Sequence, residues 1–96
     1  MDPLLKQLQN DGVDLDAPRV IEHHIVGSIP ILSVLFRPFL YEKLEKLGFT
    51  VQTIDSDIQA SETISPNEAA LKQIKMRSLC AQHLHSYDGW GTSVDV

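Results

Sequence analysis

The stretch Val20-Ile21-Glu22-His23-His24-Ile25-Val26 constrains this chain more than any other. Its β-branched residues favour a strand. Alternation sends Ile21, His23 and Ile25 to one face, and Val20, Glu22, His24 and Val26 to the other. Both faces are partly apolar, which suits an interior strand with a neighbour on each side. A second stretch, Tyr87-Asp88-Gly89-Trp90-Gly91-Thr92, also reads as a strand and also carries polar and aromatic residues that a plain buried strand would not choose. Any fold for this chain must accommodate both.

The remaining elements follow from punctuation and periodicity. Residues 2–10 form a short amphipathic helix, with Asp2 as N-cap, Pro3 at the first helical position and Leu4, Leu5 and Leu8 on one face. Gly12 ends it, and an acidic connector reaches Pro18. Gly27 breaks the first strand. Ser28 caps a long helix running to about Leu47, with Ile29, Leu32, Phe36, Phe39, Leu40, Leu44 and Leu47 on its core face. Pro38 is expected to kink or divide that helix. Ile31, Val34, Leu35 and Tyr41 lie outside the core face, so this surface needs a cover. A homodimer contact or partner groove supplies one, and so does the N-terminal helix.

Residues 49–54 alternate as a second strand, Asp55-Ser56-Asp57 turns, and residues 58–64 return as a third. Ser65-Pro66-Asn67-Glu68 is a helix start in which Ser65 and Glu68 cap reciprocally. That helix reaches His83 or Leu84, and residues 87–96 close the chain as a last strand. Gly89 and Gly91 mark a kink, a bulge or the close approach of another backbone.

After the first helix the order is strand, helix, strand, strand, helix, strand. This βαββαβ pattern predicts an α+β, ferredoxin-like sandwich: an antiparallel sheet with two helices on one face, preceded by the short N-terminal helix. Right-handed crossovers place the first and last strands side by side and antiparallel. The Glu-His-His and Asp-Gly-Trp stretches then meet.

The 96 residues are enough for one domain, spanning 1–96, with one modest core. A net charge of −5 opposes phosphate neutralisation and favours a basic protein segment over nucleic acid. One cysteine, Cys80, excludes an internal disulfide framework and suits a reducing compartment. No secretory signal is read at the N-terminus, and the most apolar stretch is too short and interrupted to span a bilayer. The expectation is a cytoplasmic protein with no membrane association.

Chemistry is sparsely signalled. His23 and His24 point to opposite faces and cannot easily share an ion, while His83 and His85 lack a ligand-spaced partner. No metal and no cofactor is expected. Cys80 sits mid-helix as an apolar filler. Glu22, His24 and Asp88 make an acid–base cluster if strand pairing gathers them, so a small metal- or acid–base-dependent enzyme built on the Glu-His-His strand is the alternative from another class. A homo-oligomeric interaction domain is a third. Trp90 either fills the core or stands exposed as an interface anchor beside acidic residues.

Four runs recur in this order and at similar spacing in one family: Asn10-Asp11-Gly12-Val13-Asp14-Leu15-Asp16, Ile21-Glu22-His23-His24, Lys46-Leu47-Gly48-Phe49-Thr50-Val51 and Tyr87-Asp88-Gly89-Trp90-Gly91-Thr92. The chain resembles, over nearly its whole length, the ribonuclease E inhibitor family, the regulators of ribonuclease activity B (RraB-like). The resemblance implies a ferredoxin-like domain and a non-enzymatic role. Such a protein binds the scaffold region of an RNase E-type endoribonuclease and modulates RNA degradation. Glu22, His24, Asp88 and Trp90 are the residues expected to make or shape that contact. The family often carries a long acidic C-terminal tail, and contacts of such a tail are not expected of a sequence ending at Val96.

Overall fold

The computed structural model describes residues 2–27, 30–55 and 57–92. Helix α1 (Pro3–Asn10) begins as its sequence requires: the Asp2 carboxylate accepts from the Leu4 N–H at 2.8 Å. Strand β1 (Arg19–Gly27) follows, then α2 (Pro30–Lys46), β2 (Thr50–Ile54), β3 (Asp57–Ile64), α3 (Pro66–Gln82) and β4 (His85–Gly91). The four strands form one open antiparallel sheet in the order β2-β3-β1-β4. The first and last strands are therefore neighbours. The polar segment after the 55–57 turn does form a strand, and it pairs with both β1 and β2.

Alternation on β1 decides where the core lies. Ile21, His23 and Ile25 are fully buried, and their cross-strand neighbours Ala60 and Ile58 complete the covered face. Ile25, Ile58 and Ala60 pack with Leu40 and Leu44 of α2 and with Met76 and Cys80 of α3, so both long helices share one core. A second cluster joins Leu5 and Leu8 of α1 to Ile21, Ala69 and Trp90. Polar ties hold α1 and its connector to α3: Gln73 Nε2 donates to Asp2 at 2.9 Å and Asn67 Nδ2 to Asp16 at 2.7 Å. At the start of α3 the Ser65 hydroxyl accepts from the Glu68 N–H and donates to the Glu68 carboxylate, each at 3.2 Å.

Helix α2 departs from its sequence reading. Leu32, Phe36, Phe39 and Leu47 do not face the core; all are exposed, and the buried line runs through Ser33, Leu40 and Leu44. Two contacts fix this rotation. Ser33 lies directly on Gly27, where an added Cβ would overlap the serine hydroxyl and come within 3.0 Å of its Cβ. Farther along, the Tyr41 hydroxyl donates to the Val51 carbonyl at 2.8 Å, which draws Tyr41 inward to the β2 edge and away from the expected outer surface. Pro38 does not divide the helix, which is continuous from Pro30 to Lys46. A proline removes one N–H, and the buried Leu40 and Leu44 hold the turns beyond it. The expected cap at Ser28, the core position at Ile29, Ser56 of the turn and the strand beyond Thr92 lie outside the described residues.

The Gly27–Ser33 approach makes a direct prediction. Gly27→Ala should cost about 1–3 kcal/mol by overpacking, read as a lower urea midpoint with an unchanged slope. Gly12→Ala has open space around it and suffers only the strain of its φ of +82°.

Candidate functional site

One face of the sheet is packed under helices and the other is open. The open face carries Val20, Glu22, His24 and Val26 from β1, Thr50, Gln52 and Ile54 from β2, Asp57, Gln59, Ser61 and Thr63 from β3, and Ser86 and the two glycines from β4. Glu22 sits between Ser61 and Gly91, and His24 between Gln59 and Gly89. The β4 side of His24 therefore has no side-chain wall, and the imidazole is exposed.

Asp88 reaches this face through a β-bulge. His24 pairs with Gly89 and Ile25 with Tyr87, which leaves Asp88 as an extra residue in β4. Gly89 has a φ of +111°, a conformation that side-chain-bearing residues rarely adopt. Simple alternation would put Tyr87 and Trp90 on opposite faces. The inserted residue restores the phase, so Tyr87 opposite Ile25 and Trp90 opposite His23 both turn inward. Asp88 is left exposed.

His24, Asp88, Asp55, Asp57 and Gln59 surround a shallow cavity of about 270 Å³, with Ile25, Val26, Ile54 and Ile58 as its apolar part. Arg19 is the only Lys or Arg in the four strands, and its Nε donates to Thr92 Oγ1 at 3.0 Å. Among the described residues no salt bridge engages Glu22, Asp55, Asp57 or Asp88. Three of the four expected site residues, Glu22, His24 and Asp88, thus share one accessible face. Trp90 does not join them: it is 7% exposed and packs in the core with Leu5, Leu8 and Ile21. The exposed-anchor reading of Trp90 is corrected by the bulge, which rotates the indole to the covered side. Asp55 and Asp57 were passed over in the sequence as turn residues; only the strand register places them beside His24.

Behind the open face lies a buried polar chain that sequence reasoning missed. His23 Nε2 is 2.7 Å from a Glu62 oxygen, its Nδ1 is 2.8 Å from the Tyr87 hydroxyl, and Lys72 Nζ is 2.6 Å from the other Glu62 oxygen. A carboxylate only accepts, so Nε2 donates to Glu62, and Nδ1 shares the second hydrogen bond with the Tyr87 hydroxyl. The Phe49 ring stands edge-on to the imidazole at 5.6 Å, and Lys72 lies 5.2 Å from the same ring. Burial alone would push the Glu62 carboxyl up. Hydrogen bonds from His23 and Lys72, with the charge of Lys72, outweigh burial and hold the carboxyl below its usual value.

The groups with nucleophilic potential are tuned against that use. Burial pushes the Cys80 thiol up to about 12 and raises the Tyr87 phenol well above its ordinary value. His23 is fully buried while His24 faces solvent. His83 Nδ1 binds the Leu79 carbonyl at 2.9 Å, and His85 Nδ1 binds the His83 carbonyl at 2.6 Å. Among the described residues no group of three or more His, Cys, Asp or Glu side chains is arranged to hold a metal ion. No helix among them is long and apolar enough to cross a membrane.

The described residues thus form an open antiparallel sheet with an acidic, hydrogen-bonding face, backed by helices. The family model for RraB, regulator of ribonuclease activity B, matches residues 2–92, and the chain belongs to that family. No curated protein and no solved structure matches it.

The Glu62 pair predicts acid sensitivity. A carboxyl held low when folded stabilises the fold above its unfolded pKa, and that contribution is lost as pH falls through the folded value. Urea unfolding from neutral to acidic pH should therefore show declining stability that Glu62→Gln flattens. At neutral pH Glu62→Ala should cost about 1–3 kcal/mol, because the His23 N–H is left buried without an acceptor.

Proposed function

We propose that the chain acts as one RraB-like domain, residues 1–96, that binds a basic segment in the scaffold region of an RNase E-type endoribonuclease and modulates RNA degradation. Membership of a family of ribonuclease regulators supplies the process. The observation that carries the surface is the cavity on the open sheet face, lined by His24, Asp55, Asp57 and Asp88 and free of lysine and arginine. Carboxylates with no ion pair among the described residues are suited to charge-assisted hydrogen bonds from an arginine or lysine side chain. Gln52, Gln59, Ser61 and Thr50 on the same face offer neutral hydrogen bonds to the rest of an extended segment.

In this reading Glu22, His24 and Asp88 touch the partner, and Trp90 shapes the contact from behind by holding the bulge. The element order and the strand order β2-β3-β1-β4 support a ferredoxin-like arrangement. The domain acts in the cytoplasm by protein contact, with no cofactor and no direct nucleic-acid binding. The raised thiol and phenol support a role without catalysis.

Calorimetric titration with a basic scaffold peptide tests this. Binding should weaken as salt rises, because the contact is electrostatic. Asp88→Lys should weaken it at least about tenfold, and Glu22→Lys should act in the same direction. Lys75→Glu, on α3 behind the sheet, should leave it unchanged. Absence of binding at low salt, or indifference to Asp88→Lys, refutes the assignment.

A further inference from the structure

The N-terminal half of α2 carries an extended apolar surface with nothing packed on it among the described residues. Ile31, Leu32, Val34, Leu35, Phe36 and Phe39 are between 37% and 80% exposed. Arg37 is the only charged residue between Pro30 and Tyr41. The element that the sequence made available as a cover is α1, and it is committed elsewhere. Leu5 and Leu8 pack on Ile21, Ala69 and Trp90, while Asp2 and Asp16 are tied to Gln73 and Asn67 of α3.

We propose that a second copy of this chain covers the face, in a two-fold dimer with α2 packed against its equivalent. Shape is the first argument. Ile31, Leu35 and Phe39 fall at i, i+4 and i+8 and make one continuous ridge, the kind that interdigitates with an identical ridge. A two-fold axis at Leu35 sets Ile31 of one copy against Phe39 of the other, so a smaller side chain meets a larger one at both ends. Phe36 lies beside Phe39, with ring centroids 6.4 Å apart and planes tilted by 56°, which gives that end a firm aromatic wall.

Charge is the second argument. The chain carries a net −5, yet this patch has no acidic group to repel its own copy. A strongly basic or acidic partner would find almost nothing here to pair with. Area is the third. Six side chains exposed to this degree leave on the order of 500 Å² per copy, near the upper limit for the largest patch on a soluble monomer. Doubled across the axis, the burial reaches roughly 1,000 Å², the threshold for a specific interface. Such a dimer is reversible and depends on concentration.

Sedimentation of the full chain from about 1 μM to 1 mM should show a monomer–dimer equilibrium. Leu35→Asp should raise the dissociation constant at least about 30-fold, as loss of a central contact does. Leu35 is 62% exposed within one chain, so circular dichroism should not change, and at concentrations where the wild type is monomeric the melting curves should coincide. A second measurement does not depend on that variant folding. Leu35→Cys should cross-link to its own copy under mild oxidation. Leu71→Cys, 81% exposed on α3, should not, and the buried Cys80 stays out of the reaction.

A wild-type monomer across the whole range overturns the proposal. So does a dimer untouched by Leu35→Asp, or equal cross-linking through Leu71→Cys. If the wild type is monomeric and Leu35→Asp abolishes scaffold-peptide binding, the face belongs to the nuclease. If the monomer instead partitions onto neutral phosphatidylcholine vesicles, it belongs to a lipid surface.

Discussion

The bond between His23 and Glu62 is the interaction on which the rest of the structure depends. An imidazole at the centre of the middle strand, with no exposed surface, is tolerable only if both ring nitrogens find partners. Glu62 from β3 takes one and Tyr87 from β4 takes the other, so a single side chain ties together three adjacent strands. Lys72 then neutralises Glu62 and joins α3 to the same chain of contacts. Register on both sides of β1 is fixed by polar pairing as well as by apolar packing, and polar pairing is far less tolerant of a shift.

That arrangement separates the two sides of the sheet by chemistry. Inward, acid and base cancel within the Glu62–Lys72–His23 group. Outward, Glu22, Asp57 and Asp88 share the open face with no lysine or arginine, while α2 and α3 hold Arg37, Lys43, Lys46, Lys72, Lys75 and Arg77 against Glu42, Glu45 and Glu68. The side that the helices leave uncovered is therefore an acidic one. Such sidedness opposes contact with phosphate along the open face, where carboxylates would repel it.

Much of this was legible in the sequence, for identifiable reasons. Asp2-Pro3 and Ser65-Pro66-Asn67-Glu68 are local signals, and both helices begin where those residues say. Alternation along β1 put His23 and His24 on opposite faces, and the structure buries the first and exposes the second. The phase of α2 was not legible, because apolar residues occur on almost every side of it and periodicity then carries no direction. Its rotation is set by Gly27 meeting Ser33 and by Tyr41 meeting the Val51 carbonyl, contacts between elements that no local pattern encodes. Trp90 failed for a different reason. The two glycines announced an irregularity in β4, but the residue inserted there is Asp88, and one inserted residue inverts the face of everything beyond it. The Glu62 partner of His23 was equally hidden, since 39 positions separate them in the chain.

The bulge at Asp88 has a consequence for how these molecules behave when crowded. β4 is an edge strand, and a regular edge offers its unpaired amides and carbonyls to any other extended chain. An extra residue twists the edge, breaks the even spacing of those groups and sets a charge beside them. A strand approaching from outside cannot stay in step past Asp88, so the sheet resists growing into a fibre along that side. The residue that supplies charge to the open face therefore also protects the chain from uncontrolled aggregation.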